Sequence, residues 1–173
     1  MNKLENKNDI TQAELNELLT YNPTTGEFHW KQTSPARSKK GNVAGSVDAK
    51  GYRVIAIRGH SYYAHRLAWR MVTGNWPTDC IDHINRIRDD NAWANLREAT
   101  RAENLRNRSL YKNNKSGYKG VYRYAEGSFG ASVNLDGKRY FLGLFPTAEA
   151  AYAAYLGAAR VYHGEFNVGA AAL

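Results

Sequence analysis

The chain has 173 residues, 43% of them apolar, with 24 Lys/Arg against 16 Asp/Glu and one cysteine. That length admits one medium domain or two small ones. The lone thiol of Cys80 excludes an internal disulfide and a cysteine-rich zinc site, and no run approaches the roughly 18 apolar residues of a membrane span. The net charge of +8 is concentrated in residues 97–123, which carry eight Lys/Arg against two Asp/Glu. A polyanion drawn in by counterion release is the natural partner of such a stretch, although a solvated basic face has the same composition. The polar opening, Met1-Asn2-Lys3-Leu4-Glu5-Asn6-Lys7-Asn8, lacks the apolar core of a signal peptide, so the expectation is a cytoplasmic protein without a membrane partner.

Residues 11–20 place Leu15, Leu18 and Leu19 on one face of a short helix. Residues 21–26 are turn chemistry, 27–31 a strand and 33–42 a loop rich in Ser, Lys, Gly and Pro. Strands are expected near 43–47 and 51–58, with Tyr62-Tyr63-Ala64 extending the sheet. A helix over 65–73 is closed by Gly74. Ile81-Asp82-His83-Ile84 alternates as a strand, residues 85–94 form a polar loop, and Leu96-Arg97-Glu98-Ala99 returns as a second strand. Thr100 and Glu103 have the spacing of a capping box, which starts a helix carrying Asn104. A linker over 109–116 leads to strands at 118–124, 129–135 and 139–145. Asp136-Gly137 reads as a tight hairpin turn, and an Ala/Tyr helix follows over 148–162, capped by Thr147 with Gly164 beyond it. Three antiparallel strands need a cover on one face, and this helix supplies it.

The chemistry gathers between 80 and 104. Asp82 and His83 are neighbours on a strand, so they face opposite ways, and one can hold a metal while the other acts as a base if the strand bends or ends there. A carboxylate with spaced amides suits a hard cation that keeps several waters. An imidazole with an ordinary pKa of about 6.5 suits proton transfer near neutrality. Asn91 reads as a loop residue, Cys80 as a small apolar residue beside the strand, and Trp69, Trp76 and Trp93 as core. His29, His60 and His163 read as ordinary histidines, and His65 either touches a DNA backbone or packs.

The stretch from about Ala64 to Arg108 resembles the HNH endonucleases, the ββα-metal group. The residues that carry this are Ala64-His65-Arg66-Leu67-Ala68-Trp69, Ile81-Asp82-His83-Ile84-Asn85, Asp90-Asn91, Ala94-Asn95-Leu96-Arg97, Ala99-Thr100 and Glu103-Asn104. The resemblance implies Asp82 as a metal ligand and His83 as the general base. It implies Asn95 as the amide that ties the loop across the hairpin, and Asn104 as a second ligand. Many members carry His at that last place. The Asn version favours Mg²⁺, with Mn²⁺ as a substitute, over zinc. Arg97 or Arg101 would steady the phosphate.

A second resemblance covers about Ser116 to Asn167. Tyr118-Lys119-Gly120-Val121-Tyr122-Arg123-Tyr124, Phe129-Gly130-Ala131-Ser132-Val133, Tyr140-Phe141-Leu142-Gly143-Leu144-Phe145 and the Ala/Tyr helix look like an AP2 domain, which lays a three-stranded sheet in the DNA major groove. Its DNA-facing positions fall on Lys119, Tyr122, Tyr124, Ser132, Asn134, Arg139 and Phe141. Tyr122, Tyr124 and Phe141 depart from the Arg and Trp of the plant pattern.

The expected class is α+β: a small N-terminal sheet with helices, a ββα-metal core, and a three-stranded antiparallel sheet on one helix. The expected division is 1–108 with the nuclease core at about 64–108, a basic linker over 109–116, and a DNA-binding domain over 117–173. The expected function is metal-dependent hydrolysis of double-stranded DNA by a monomer or dimer, without a small-molecule cofactor, in a phage or mobile-element setting. One active site per chain suggests nicking. The competing reading is a regulator that binds DNA through the C-terminal part alone; an RNA-binding protein is a third.

Overall fold

Thr11 opens the first helix with a reciprocal cap. Its hydroxyl accepts from the Glu14 N–H at 3.2 Å, and the Glu14 carboxylate accepts from the Thr11 N–H at 2.8 Å. This helix, α1 (Gln12–Leu18), buries Leu15. It stops short of the expected residue 20 because the chain turns extended there. β1 (Leu19–Tyr21) pairs antiparallel with β2 (Phe28–Trp30), Leu19 opposite Trp30 and Tyr21 opposite Phe28. The computed structural model describes residues 10–33, 39–107, 110, 113–135 and 137–163. Part of the loop expected over 33–42, part of the linker over 109–116, Asp136 of the hairpin turn and Gly164 therefore lie outside the described residues.

A three-stranded antiparallel sheet follows, with β4 (Arg53–Ile57) between β3 (Ser46–Val47) and β5 (His60–Tyr63). The strand expected over 43–47 is cut to two residues at Gly45. That residue has a φ of +81°, and a Cβ there would stand 2.4 Å from the Val54 carbonyl oxygen. The β4–β5 turn is Arg58-Gly59, with φ of 50° and 82°, the two positive values that a tight two-residue hairpin needs. β5 runs directly into α2 (Ala64–Thr73), which ends at Gly74 in the left-handed conformation, its N–H on the Arg70 carbonyl. Leu15, Leu19, Phe28, Ile55 and Leu67 form the centre of one core, and Ile81 and Leu96 extend it to the next hairpin. There β6 (Cys80–His83) pairs with β7 (Leu96–Ala99), Asp82 opposite Arg97 and His83 opposite Leu96.

These elements belong to the first of two units, Met1–Arg101; the second is Ala102–Leu173. Apart from the start of α3 (Arg101–Arg106), the second unit holds that helix, β8 (Val121–Ala125), β9 (Ser128–Leu135), β10 (Lys138–Phe145) and α4 (Ala148–His163). β9 is the central strand of an antiparallel sheet. One face of it packs Val121, Ala131 and Val133 with Ala148, Ala151, Tyr155 and Ala159 from α4. The molecule is therefore α+β, with several small sheets and four described helices. No described helix is long and apolar enough to cross a membrane.

Candidate active site

Strand alternation sends Asp82 and His83 to opposite sides of β6, and the protein supplies each with its own partners. Asp82 Oδ2 accepts from Arg97 Nε at 3.0 Å and from Arg97 Nη2 at 2.8 Å across the hairpin. Both side chains are nearly out of water, at 5% and 11% exposure. Burying either charge alone would be strongly unfavourable, so the pair stands or falls together. Arg97, expected to steady a DNA phosphate, is thus committed to Asp82. Arg101, the other residue expected in that role, lies exposed at the start of α3.

His83 is buried, and its Nε2 lies 3.2 Å from Asn91 Oδ1. Asn91 Nδ2 donates to the Asp89 carbonyl at 3.0 Å, which fixes the orientation of the amide. An amide oxygen only accepts, so His83 Nε2 carries the proton and the basic lone pair is on Nδ1. Burial pushes the His83 pKa below its ordinary value; the Asn91 bond and the charges of Asp82 and Asp90 work against that shift, and Arg88 works with it. His83 is therefore neutral at physiological pH, the form a general base requires.

The loop after β6 is cross-braced by Asn95. Its Oδ1 accepts from the Asn85 N–H at 2.9 Å, and its Nδ2 donates to the Asp90 carbonyl at 2.7 Å. The Ile84 N–H meets the Asn95 carbonyl at 2.9 Å, and Asn85 Nδ2 meets Asp90 Oδ2 at 2.6 Å. Asn95 touches loop backbone at both ends, so it shapes the loop rather than the reacting atoms.

The N-terminal hairpin holds the same loop from behind. The Tyr21 hydroxyl donates to the Asn91 carbonyl at 2.8 Å, and the Trp93 N–H donates to the Pro23 carbonyl at 2.8 Å. Gly26, at φ +75°, lies so close that a Cβ would stand 2.3 Å from the backbone of Asn91 and Ala92. Only glycine allows that approach.

Aromatic rings wall the His83 side. His65, at the start of α2, meets His83 edge-on with centroids 5.2 Å apart, and Tyr52 stands 6.1 Å from His83 and 5.5 Å from His65. Tyr63 stacks on His65 at 5.3 Å. Burial pushes His65 down to about 3, with the His83 and Arg66 charges adding to the effect, so it is a neutral ring. Of the two readings open for His65, packing is the one its burial supports.

Asn91, Tyr52 and Tyr63 are the participants that sequence reasoning missed. Asn91 was visible within the Asp90-Asn91 pair but had no local signal turning its side chain inward. Tyr52 and Tyr63 lie 31 and 20 residues before His83, and only the fold brings Tyr52 to the His83 ring and Tyr63 to that of His65.

Asp82 offers a carboxylate oxygen, the donor type that a hard divalent cation takes. A cation there shares the group with Arg97. Among the described residues no three His, Cys, Asp or Glu side chains cluster as a metal cage. Asn104 stands half-buried on α3, in the second unit.

Residues 62–106 match the family model described as HNH endonuclease. The chain carries an HNH endonuclease domain. The match takes in α2, both strands of the Asp82–His83 hairpin and α3. A curated relative, the "Uncharacterized HNH endonuclease L560" of Acanthamoeba polyphaga mimivirus, is 34% identical over 104 residues, covering 59% of this chain and 54% of its own length. The chain thus spans about half of that relative. No solved structure matches it.

The residues expected to face DNA in the second unit gather by register. Gly130, Ser132 and Asn134 alternate on one face of β9, with Tyr122 opposite Gly130, Phe141 opposite Ser132 and Arg139 opposite Asn134. Arg139 donates through Nε to Ser132 Oγ at 2.9 Å, and its guanidinium lies 4.7 Å above the Tyr122 ring. Phe141 is 60% exposed and Tyr124 is 63% exposed. Tyr124 falls at a bulge between Arg123 and Ala125, and Lys119 is half-buried in the loop before β8.

Proposed function

We propose that the protein is a metal-dependent DNA endonuclease that hydrolyses phosphodiester bonds to 5′-phosphate and 3′-hydroxyl ends, nicking one strand per active site. The observation that carries this reading is the bond between His83 Nε2 and the oriented amide of Asn91. It gives a buried, neutral imidazole whose basic nitrogen is Nδ1, next in sequence to Asp82, whose charge reaches it. His83 takes a proton from the attacking water at Nδ1, and the negative charge of Asp82 favours the imidazolium that results. Asn95 holds the loop so that this ring keeps its place. Asp82 supplies an oxygen ligand for Mg²⁺, or Mn²⁺ in its place. The assignment of Asn104 as a further oxygen ligand rests on its place in the sequence pattern. When bound, the cation supplies Lewis-acid stabilisation of charge on the phosphate and the leaving 3′-oxygen.

For the second unit we propose an AP2-like reader, with Tyr122, Asn134, Arg139 and Phe141 addressing duplex DNA and Lys119 and Tyr124 at the margin. Support comes from a sheet face that stays outside the α4 core and carries a guanidinium among aromatic rings. A phage or mobile-element setting agrees with the viral source of the relative.

The test is incubation with supercoiled plasmid and Mg²⁺, with and without EDTA, beside Asp82→Ala. The expected result is open circle that EDTA abolishes and the variant fails to form. DNA binding without any cleavage would replace the nuclease by the regulator reading.

A further inference from the structure

Arg97, one of the two arginines expected to hold the DNA backbone beside His83, is bound to Asp82 instead. The loop between β6 and β7 offers another arginine. Arg88 is exposed, and its guanidinium lies 5.0 Å above the ring of Tyr52. Its Nη1 donates to the Lys50 carbonyl at 2.7 Å. The Tyr52 ring is 6.1 Å from that of His83, so one aromatic ring has the base on one side and a fixed guanidinium against it.

The carboxylates nearby are otherwise engaged. Asp89 holds Arg53 through two bonds of 2.9 and 3.0 Å, Asp90 takes Asn85 Nδ2, and Asp48 accepts the N–H groups of Lys50 and Tyr52. Among the described residues Arg88 has no acidic partner. A guanidinium with one N–H on a carbonyl keeps four donors, and its planar fork matches two oxygens of a phosphate. Seating on an aromatic face and a backbone bond reduces the freedom lost on contact.

We propose that Arg88 is the phosphate-binding residue of the His83 site: it holds a backbone phosphate of the DNA next to the bond that is cut. This rests on the nuclease reading for the meaning of the phosphate, but its test does not need cleavage. Binding to a nonspecific duplex is measured in EDTA over a series of salt concentrations for the wild-type protein, Arg88→Met, Arg88→Gln, Arg88→Lys and Arg58→Met. Arg58 is an exposed arginine paired with Glu14 on α1, and it controls for bulk charge. Loss of one phosphate contact lowers the slope of log affinity against log salt by about one. Arg88→Met and Arg88→Gln should show that drop, while Arg88→Lys and Arg58→Met should not. A wild-type slope in both neutral Arg88 variants, or an equal drop in Arg58→Met, would overturn the proposal. Failure of the wild-type protein to cut plasmid would remove the nuclease reading while leaving the slopes to be read for themselves.

Discussion

The β6–β7 hairpin and the outer face of the β8–β10 sheet both carry polar and aromatic groups, yet they treat them in opposite ways. In the hairpin, Asp82, His83, Asn91 and Asn95 are all buried and each has fixed hydrogen-bond partners. On the sheet, Phe141 and Tyr124 are mostly exposed, and among the described residues Arg139 is held by a ring and a hydroxyl. Chemistry on a phosphodiester needs groups already in place and out of water, because hydrogen bonds and charges act more strongly there and need no reorganisation. Recognition of a duplex needs groups that can still be reached. The contrast predicts that substitutions of the buried hairpin groups change rate and substitutions on the sheet change affinity.

The largest effect sharpens the first half. His83→Ala removes the proposed base, and general-base catalysis contributes on the order of 10²- to 10⁴-fold. Plasmid cleavage should fall by that factor while duplex binding in EDTA is unchanged. Cleavage at the wild-type rate would end the assignment of His83 as the base.

Gly26→Ala tests whether the hairpin site is held from outside itself. A methyl group 2.3 Å from the Asn91–Ala92 backbone must push that loop away. Asn91 then shifts relative to His83, and a displacement of about 1 Å in catalytic geometry costs about 10²-fold. The expected signature is a lower kcat with an unchanged KM. A fall in thermal stability with kcat intact would show that the N-terminal hairpin supports the fold alone.

These contacts also show where sequence reasoning reaches and where it stops. Asp82, His83 and Asn95 stand in one short run, so their types and spacing were readable. The strands and long helix of the second unit were readable from alternation, Gly-containing turns and the Ala/Tyr periodicity. β1 was not, because Leu18-Leu19 continues the apolar face of α1 and only pairing with Phe28–Trp30 draws Leu19 into a strand. In sequence Asn91 is a loop residue, because its placement comes from Tyr21, Pro23 and Gly26, 65 or more positions earlier. Arg97, like Arg101, reads in sequence as a phosphate ligand because cross-strand register, which aims it at Asp82, is invisible in an isolated run.

Arg139→Met tests the second half of the contrast. Loss of a well-seated base contact costs about 1–3 kcal/mol of discrimination, so preference for a cognate sequence should relax by about 5- to 150-fold. The rate of nonspecific nicking should stay the same. A changed nicking rate with unchanged sequence preference would mean that the sheet does not read DNA.

His65→Phe asks the smallest question: how much the buried hairpin environment depends on its neutral imidazole neighbour. His65 titrates near 3 in the folded chain against an ordinary 6.5. The unfolded chain therefore binds a proton that the folded chain refuses between those values. The stability that His65 allows is complete above about pH 6.5 and is lost as pH falls toward 3, at about 1.4 kcal/mol per pH unit. Phenylalanine keeps a ring against His83, Tyr52 and Tyr63 but has nothing to protonate. Its unfolding free energy, followed by denaturant titration from pH 7 to pH 4, should fall less steeply than that of the wild-type protein by that amount. Parallel curves would mean that His65 takes up its proton in the folded state, which requires water or a carboxylate to reach a ring now walled by aromatic side chains.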